Sequence, residues 1–306
     1  MTAKPAVDLR LLAYFHKTAE IGNITSAAAA LNVAQPTLSK AIQQLERQLA
    51  ATLFQRSPTG VVLTREGEQL LRHTRLVLAQ VSDAVEEIEA LRSGTAGRVR
   101  IGAGPSWVRR ILPDVVAEAL RARPGLQVSI SSGFDERMLE ALENGELDYV
   151  VAEEPQNRRR VFGFEELTED ELVVCARAGH PLVGQRDVPT ETVLAMAWAL
   201  PPQHVLARRK LDGQTSFRGH ALPEPQVTST SLSFLLQFVA GSDALIYTTR
   251  SLLGTAEGSG LVEIDVPELV STRTAGLIYR KPRLLTAAAE FVAQRLKARC
   301  AVEKVN

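Results

Sequence analysis

The chain reads as an α/β protein in three parts: a small helical head with a wing, one long helix, and a body of alternating strands and helices. Three observations predict this. Between Asn23 and Leu49 an alanine-rich segment, a short break and a proline-led amphipathic segment follow one another. From about Thr64 to Leu91, apolar residues repeat at sevens with no proline. Beyond Gly97, apolar runs of strand length alternate with helical patterns. At 306 residues and 33.3 kDa the chain is long enough for two or three cores.

Within the head, Asn23 is placed to cap a short helix whose residues Ala27, Ala28, Ala29 and Ala30 are small enough to let a second helix cross closely. Asn32 and Val33 leave that helix. Gln35 and Pro36 begin the next, with proline where its missing N–H costs nothing. Leu38, Ile42, Leu45 and Leu49 recur at four, three and four, giving one apolar stripe. The opposite face carries Gln35, Thr37, Ser39, Lys40, Gln43 and Gln44, groups that meet base edges and phosphates. The pattern predicts a helix-turn-helix with a wing, a device for reading duplex DNA.

The run A-A-x-x-L-x-V-x-Q-P-T-L-S-K-A-I-Q-Q-L-E, followed by L-F-x-R and L-T-x-x-G, resembles the LysR-type transcriptional regulators of bacteria, and the organisation of the rest of the chain is similar too. Asn23 stands where the family often has Ser, an exchange between good caps. Ala50 stands where the family usually has Gly, which leaves the shape of that helix end open. The resemblance implies that Gln35, Pro36, Ser39 and Lys40 meet bases or neighbouring phosphates. It implies that Arg56, in L-F-Q-R, enters a minor groove. Thr37 is assigned to a phosphate. Charge agrees: residues 1–66 hold seven basic and four acidic side chains, leaving 28 basic and 31 acidic for the remainder.

In the long helix, Leu71, Leu78 and Val85 are spaced by sevens with Val81 and Ile88 interleaved, a coiled-coil-like seam running roughly 40 Å. Such a stripe needs a partner, and the family resemblance makes it a dimerisation helix that lets two heads read a two-fold site.

In the body, strands are expected at Arg98–Ala103, Leu126–Ser131, Asp148–Ala152, Leu172–Ala176, Ala197–Leu200, Gln226–Thr228, Ala244–Tyr247 and Ala275–Tyr279. Helices are expected from Ser106, at Glu136–Glu143, near Glu191, near Leu206–Leu211, at Ser231–Val239 and at Ala287–Lys297. Alternation of this kind argues for a parallel sheet wrapped by helices. The resemblance implies a two-lobed, periplasmic-binding-protein-like sensor. The expected parts are residues 1–63 for the winged head, 64–92 for the linker and 93–306 for the sensor. Lobe 1 takes about 98–167 plus 268–306 and lobe 2 about 168–267, with crossings near Leu167–Glu171 and Asp265–Leu269.

A ligand is expected between lobes, at the carboxyl ends of strands. Turns there hold Ser106 and Trp107, Phe134 and Asp135, Gln203 and His204, and Ser229 and Thr230. Ser106 is read as an anion seat at a helix start, Trp107 as cleft wall or core, and Ser229 and Thr230 as ligand contacts or helix caps. His204, Arg208 and Arg209 are candidates to neutralise a carboxylate, although adjacent Arg208 and Arg209 point about 100° apart.

The chain begins without a basic-then-apolar signal and no apolar run reaches membrane-spanning length, which predicts a cytoplasmic protein without a membrane partner. Cys175 and Cys300 read as reduced thiols, and five histidines without ligand spacing predict neither metal nor cofactor. No G-x-S-x-G, Walker A or H-E-x-x-H motif favours an enzyme. A two-lobed cytosolic enzyme and a ligand-independent DNA-architectural protein are the alternatives to a regulator. For the regulator, the expected partners are operator DNA and a small-molecule effector, with a carboxylate suiting the polar turns. RNA polymerase and further copies of the chain, as dimer and tetramer, follow from the resemblance.

Overall fold

A computed structural model describes residues 7–58, 60–93, 97–133, 135–155 and 158–303. The chain divides into two compact units, the first holding residues 1–93 and the second most of the remainder.

The first unit starts with α1 (Leu9–Ile21), capped by Asp8, whose carboxylate accepts from Arg10 N at 2.8 Å. In α2 (Ile24–Ala30) Asn23 caps as expected, accepting from Ser26 N at 3.0 Å. Helix α3 (Gln35–Leu49) has Pro36 in its first turn and no side-chain cap. It ends on Ala50, which takes the left-handed conformation, φ 49°, that favours glycine. Holding alanine in that conformation costs about 1 kcal/mol. Strands β1 (Phe54–Ser57) and β2 (Gly60–Leu63) pair antiparallel as the wing. Leu11, Phe15, Ala27, Ala28, Leu38, Ile42, Leu45 and Leu53 form the core, and the Phe15 and Phe54 rings meet at 5.3 Å.

Helix α4 (Arg65–Ser93) leaves this core. Leu70 and Leu71 still pack against it, so Leu71 belongs to the head's base as much as to a seam. Further along, Val81, Val85 and Ile88 are 40%, 49% and 57% exposed and Leu78 is half-buried.

The second unit centres on a seven-stranded sheet. Strands β3 (Arg98–Ala103), β4 (Gln127–Ser132) and β5 (Tyr149–Glu153) are parallel. The single helix expected from Ser106 is two, α5 (Pro105–Arg110) and α6 (Leu112–Ala122), because Pro113 opens a new first turn. Helix α7 (Asp135–Glu143) precedes β5.

The sheet is mixed, not parallel. Strand β6 (Phe162–Arg177) is 16 residues long and pairs antiparallel with β11 (Ser271–Arg280), which also pairs antiparallel with β5. Past the β6–β11 ladder, β9 (Ile246–Thr249) and β10 (Leu261–Glu263) add to β6, and β7 (Ala199–Leu200) pairs separately with β8 (Val227–Thr228). Residues 167–171, expected at a crossing, run unbroken within β6, whereas 265–269 is a loop with a 3-10 turn before β11. Helices α8 (Thr190–Leu194), α9 (Leu206–Phe217), α10 (Leu232–Ala240) and α11 (Ala287–Glu303) complete the unit. One core joins Val99, Ile101, Val115 and Val292, and another joins Val174, Trp198, Leu211 and Tyr247.

Candidate functional site

The head presents one polar helix face. Leu38, Ile42 and Leu45 turn inward, so Gln35, Pro36, Thr37, Lys40, Gln43 and Gln44 stand exposed and Ser39 half-exposed on the other side of α3. Gln35 Nε2 donates to Ser39 Oγ at 2.9 Å, fixing the first turn of this face. Arg56 is exposed on β1 opposite Val61. The acid on α3, Glu46, is withdrawn from the surface: its Oε1 accepts from Leu53 N at 2.8 Å and Phe54 N at 3.4 Å. One carboxylate thus ties α3 to the wing and leaves the outward face without negative charge. The sequence reading missed this role, because the tie spans the α3–wing break.

In the second unit, Ser106 and Trp107 line a cavity of about 80 Å³. The other residues proposed from sequence are elsewhere. Gln203 and His204 are exposed in a turn and Thr230 is exposed, none of them on the cavity wall. Ser229 Oγ accepts from Ser231 N, and Ser231, not Ser229 or Thr230, caps α10 by accepting from Phe234 N. Phe134 and the side chain of Asp135 lie outside the described residues. Arg208 is buried but turned to Asp212 at 3.0 Å, and exposed Arg209 lies 3.9 Å from Glu136, so neither serves the cavity. Ser106 sits in a helix of six residues, and its hydroxyl accepts from Arg273 Nη2 at 3.0 Å.

The cavity's polar side comes instead from Arg273, Thr248 and Thr249, with Tyr247 beside them. Thr248 and Thr249 close strand β9, so the rule about carboxyl ends of strands points to them as well. Arg273 is legible only once β11 is paired. Tyr247 donates to Leu269 O at 2.8 Å, and burial raises its phenol well above its ordinary range. Lys210 meets Glu153 at the wall at 2.5 Å, and Arg109 of α5 pairs with Glu257 and Ser233.

Burial likewise drives the Cys175 thiol up and out of the thiolate range at neutral pH, and Cys300 is equally buried. Among the described residues no group of three His, Cys, Asp or Glu could hold a metal, and no helix is long and apolar enough to cross a membrane.

A polar helix on a winged head, joined in sequence to a cavity-bearing α/β unit, defines a DNA-binding transcription regulator with an effector-binding domain. Residues 9–68 match the bacterial regulatory helix-turn-helix proteins of the lysR family and residues 92–301 match the LysR substrate binding domain, so the chain belongs to the LysR family. It is 28% identical to the HTH-type transcriptional regulator GbpR of Azospirillum brasilense over 96% of this chain and 87% of that one. With the SDS degradation transcriptional activation protein of Pseudomonas sp. (strain ATCC 19151) identity is 32%, covering 92% and 93%. The fold is also that of full-length CbnR in complex with its target DNA, with a TM-score of 0.63 at 18% identity, covering 96% and 100%. These similar proteins are named as transcription regulators.

Proposed function

We propose that the chain is a sequence-specific regulator whose heads, residues 1–63, grip operator DNA while residues 93–306 sense a small molecule. Gln35, Pro36, Thr37, Ser39 and Lys40 lie in the major groove, and Arg56 reaches the adjacent minor groove. The observation that carries this is the exposed, acid-free polar face of α3 backed by the buried row Leu38, Ile42 and Leu45. That a protein of similar fold, CbnR, is found in complex with its target DNA supports DNA binding by this chain.

Helix α4 pairs two chains through Leu78, Val81, Val85 and Ile88, with Leu71 at its base, and dimers assemble into tetramers. The effector sits in the cavity at Ser106 and Trp107. It acts only in so far as it binds two arrangements of the domain unequally, and the change in head spacing alters DNA bend and contact with RNA polymerase. The protein works in the cytoplasm and needs neither cofactor nor catalysis.

Footprinting on the DNA flanking its own gene, titrated with salt and a metabolite panel, tests the reading. A roughly symmetric protected site that changes with one compound is expected. Absence of protection at low salt would overturn it.

A further inference from the structure

The cavity's polar end is built on the β9–β6–β11 ladder. Arg273 and Asp170 are register partners, and two residues along β6, Leu172 is partnered by Ser271 on one side and Thr249 on the other. The two-residue period puts all five side chains on one face of the sheet. Two buried polar atoms on that face have no hydrogen-bond partner: Nε of Arg273 and Oγ1 of Thr249, a residue only 4% exposed. Burying such groups unpaired costs free energy that an acceptor-bearing ligand recovers. Most of the remaining wall is apolar, including Leu172, Val205, Leu232, Leu235, Ile246 and Leu252. The acid among the lining residues, Glu153, is neutralised by Lys210, so no cation is called for.

Arg273 is held loosely. Its Nη2 lies 3.0 Å from Ser106 Oγ and 3.4 Å from Asp170 Oδ2. Asp170 does not depend on that contact. Ser251 Oγ donates to its Oδ2 at 2.6 Å, and its Oδ1 accepts from Glu171 N at 2.8 Å and Ser251 N at 3.4 Å. If the guanidinium turns away, Asp170 therefore still accepts from three neutral donors.

We propose that Arg273 is the cleft's anion receptor for a small carboxylate on a compact apolar body, and that Asp170 is the internal carboxylate with which this ligand competes. The proposal rests on the reading of the cavity as the effector site. A purely inorganic anion leaves the apolar wall unused, and a neutral ligand leaves Arg273 shared with Asp170. Because Asp170 and Arg273 lie on the two long strands that pair side by side, exchange of the guanidinium alters the tie between those strands. Occupancy is thereby converted into a change in how they are held.

The test uses the full-length protein and calorimetric titration with propionate, butyrate and isobutyrate, each against its neutral amide. At least one acid should bind about tenfold or more tightly than its amide, the worth of one charge-assisted hydrogen bond. R273Q should abolish that preference. D170N should tighten the acid several-fold while leaving the amide unchanged. Acids binding no better than amides, or no acid binding at all, would overturn the anion receptor. Unchanged or weaker acid binding in D170N would overturn the competitor, and this variant keeps the test open should R273Q fail to fold. Ala207→Phe, which fills the cavity from α9, separates the two levels. Acid binding that ignores Ala207→Phe refutes the cavity as the site. Acid binding that Ala207→Phe blocks but R273Q leaves intact refutes this proposal alone.

Discussion

Replacing Gly67 with alanine should destabilise the head, although alanine is the better helix former. Gly67 lies in the first turn of α4, where a Cβ would sit 2.2 Å from the Leu53 carbonyl oxygen and 2.9 Å from Leu63 Cδ2. That carbonyl already accepts from Thr64 N at 3.0 Å, and Thr64 Oγ1 donates to Thr52 O at 2.7 Å, so the segment is clamped on both sides. Restoring ordinary contact requires a backbone shift of about 1 Å, and overpacking against backbone falls near the upper end of the usual range, about 3 kcal/mol. Alanine returns at most about 1 kcal/mol of helix preference. The net loss is about 2 kcal/mol, a factor of about 30 in the folded-to-unfolded ratio. Gly213, inside α9, provides the opposite sign: nothing lies within 4 Å of its Cβ position, so Gly213→Ala should add about 0.5–1 kcal/mol. Both tryptophans, Trp107 and Trp198, are in the second unit, so fluorescence reports that unit and far-UV circular dichroism reports both. In urea, Gly213→Ala should raise the fluorescence midpoint. Gly67→Ala should lower the dichroism transition without moving fluorescence. A stable or strengthened head in Gly67→Ala would refute the close-approach argument.

Lys40→Ala should weaken operator binding and reduce the slope of log affinity against log salt by about 0.9, the mark of one lost phosphate contact; Ser39→Ala should weaken specific more than non-specific binding. Titrations on operator and scrambled duplexes check both. Leu78→Glu should yield monomers or aggregates, and an unaltered dimer in light scattering would reject the α4 seam. Glu165 takes hydrogen bonds from Lys297 at 2.6 Å and Arg283 at 2.9 Å. Although burial works against its charge, these cations hold its carboxyl below the usual 4.5. A depressed folded value means stabilisation that is present above pH 4.5 and lost as pH falls below it, so wild type should weaken there and Glu165→Gln should flatten that slope in acid denaturation curves.

The head was legible because its determinants are local. Asn23, Pro36 and the stripe Leu38–Ile42–Leu45 act within a turn or two of themselves, and each reappears as a cap, a helix start and a buried row. Of strand β6 the sequence alone predicts only Leu172–Ala176, because its first half, F-G-F-E-E-L-T-E-D-E, is crowded with acids that ordinarily argue against a strand. What stabilises that half is β11, which sets Arg273 against Asp170 and Thr272 and Thr274 against Glu171 and Glu169. No window along the chain contains both strands.

The same separation decides the cleft. The carboxyl ends of strands point to a region, and Ser106 and Trp107 line a cavity there, but a turn's place in sequence does not say which way its side chains face. Gln203, His204 and Thr230 turn to solvent, Arg208 is spent on Asp212, and the guanidinium that reaches the wall comes from a residue 167 positions after Ser106. Sequence reading therefore finds a surface made by one helix more readily than a cavity assembled from distant strands. In this chain the residues proposed to set ligand chemistry, Arg273, Asp170 and Thr249, are those whose neighbours exist only after folding.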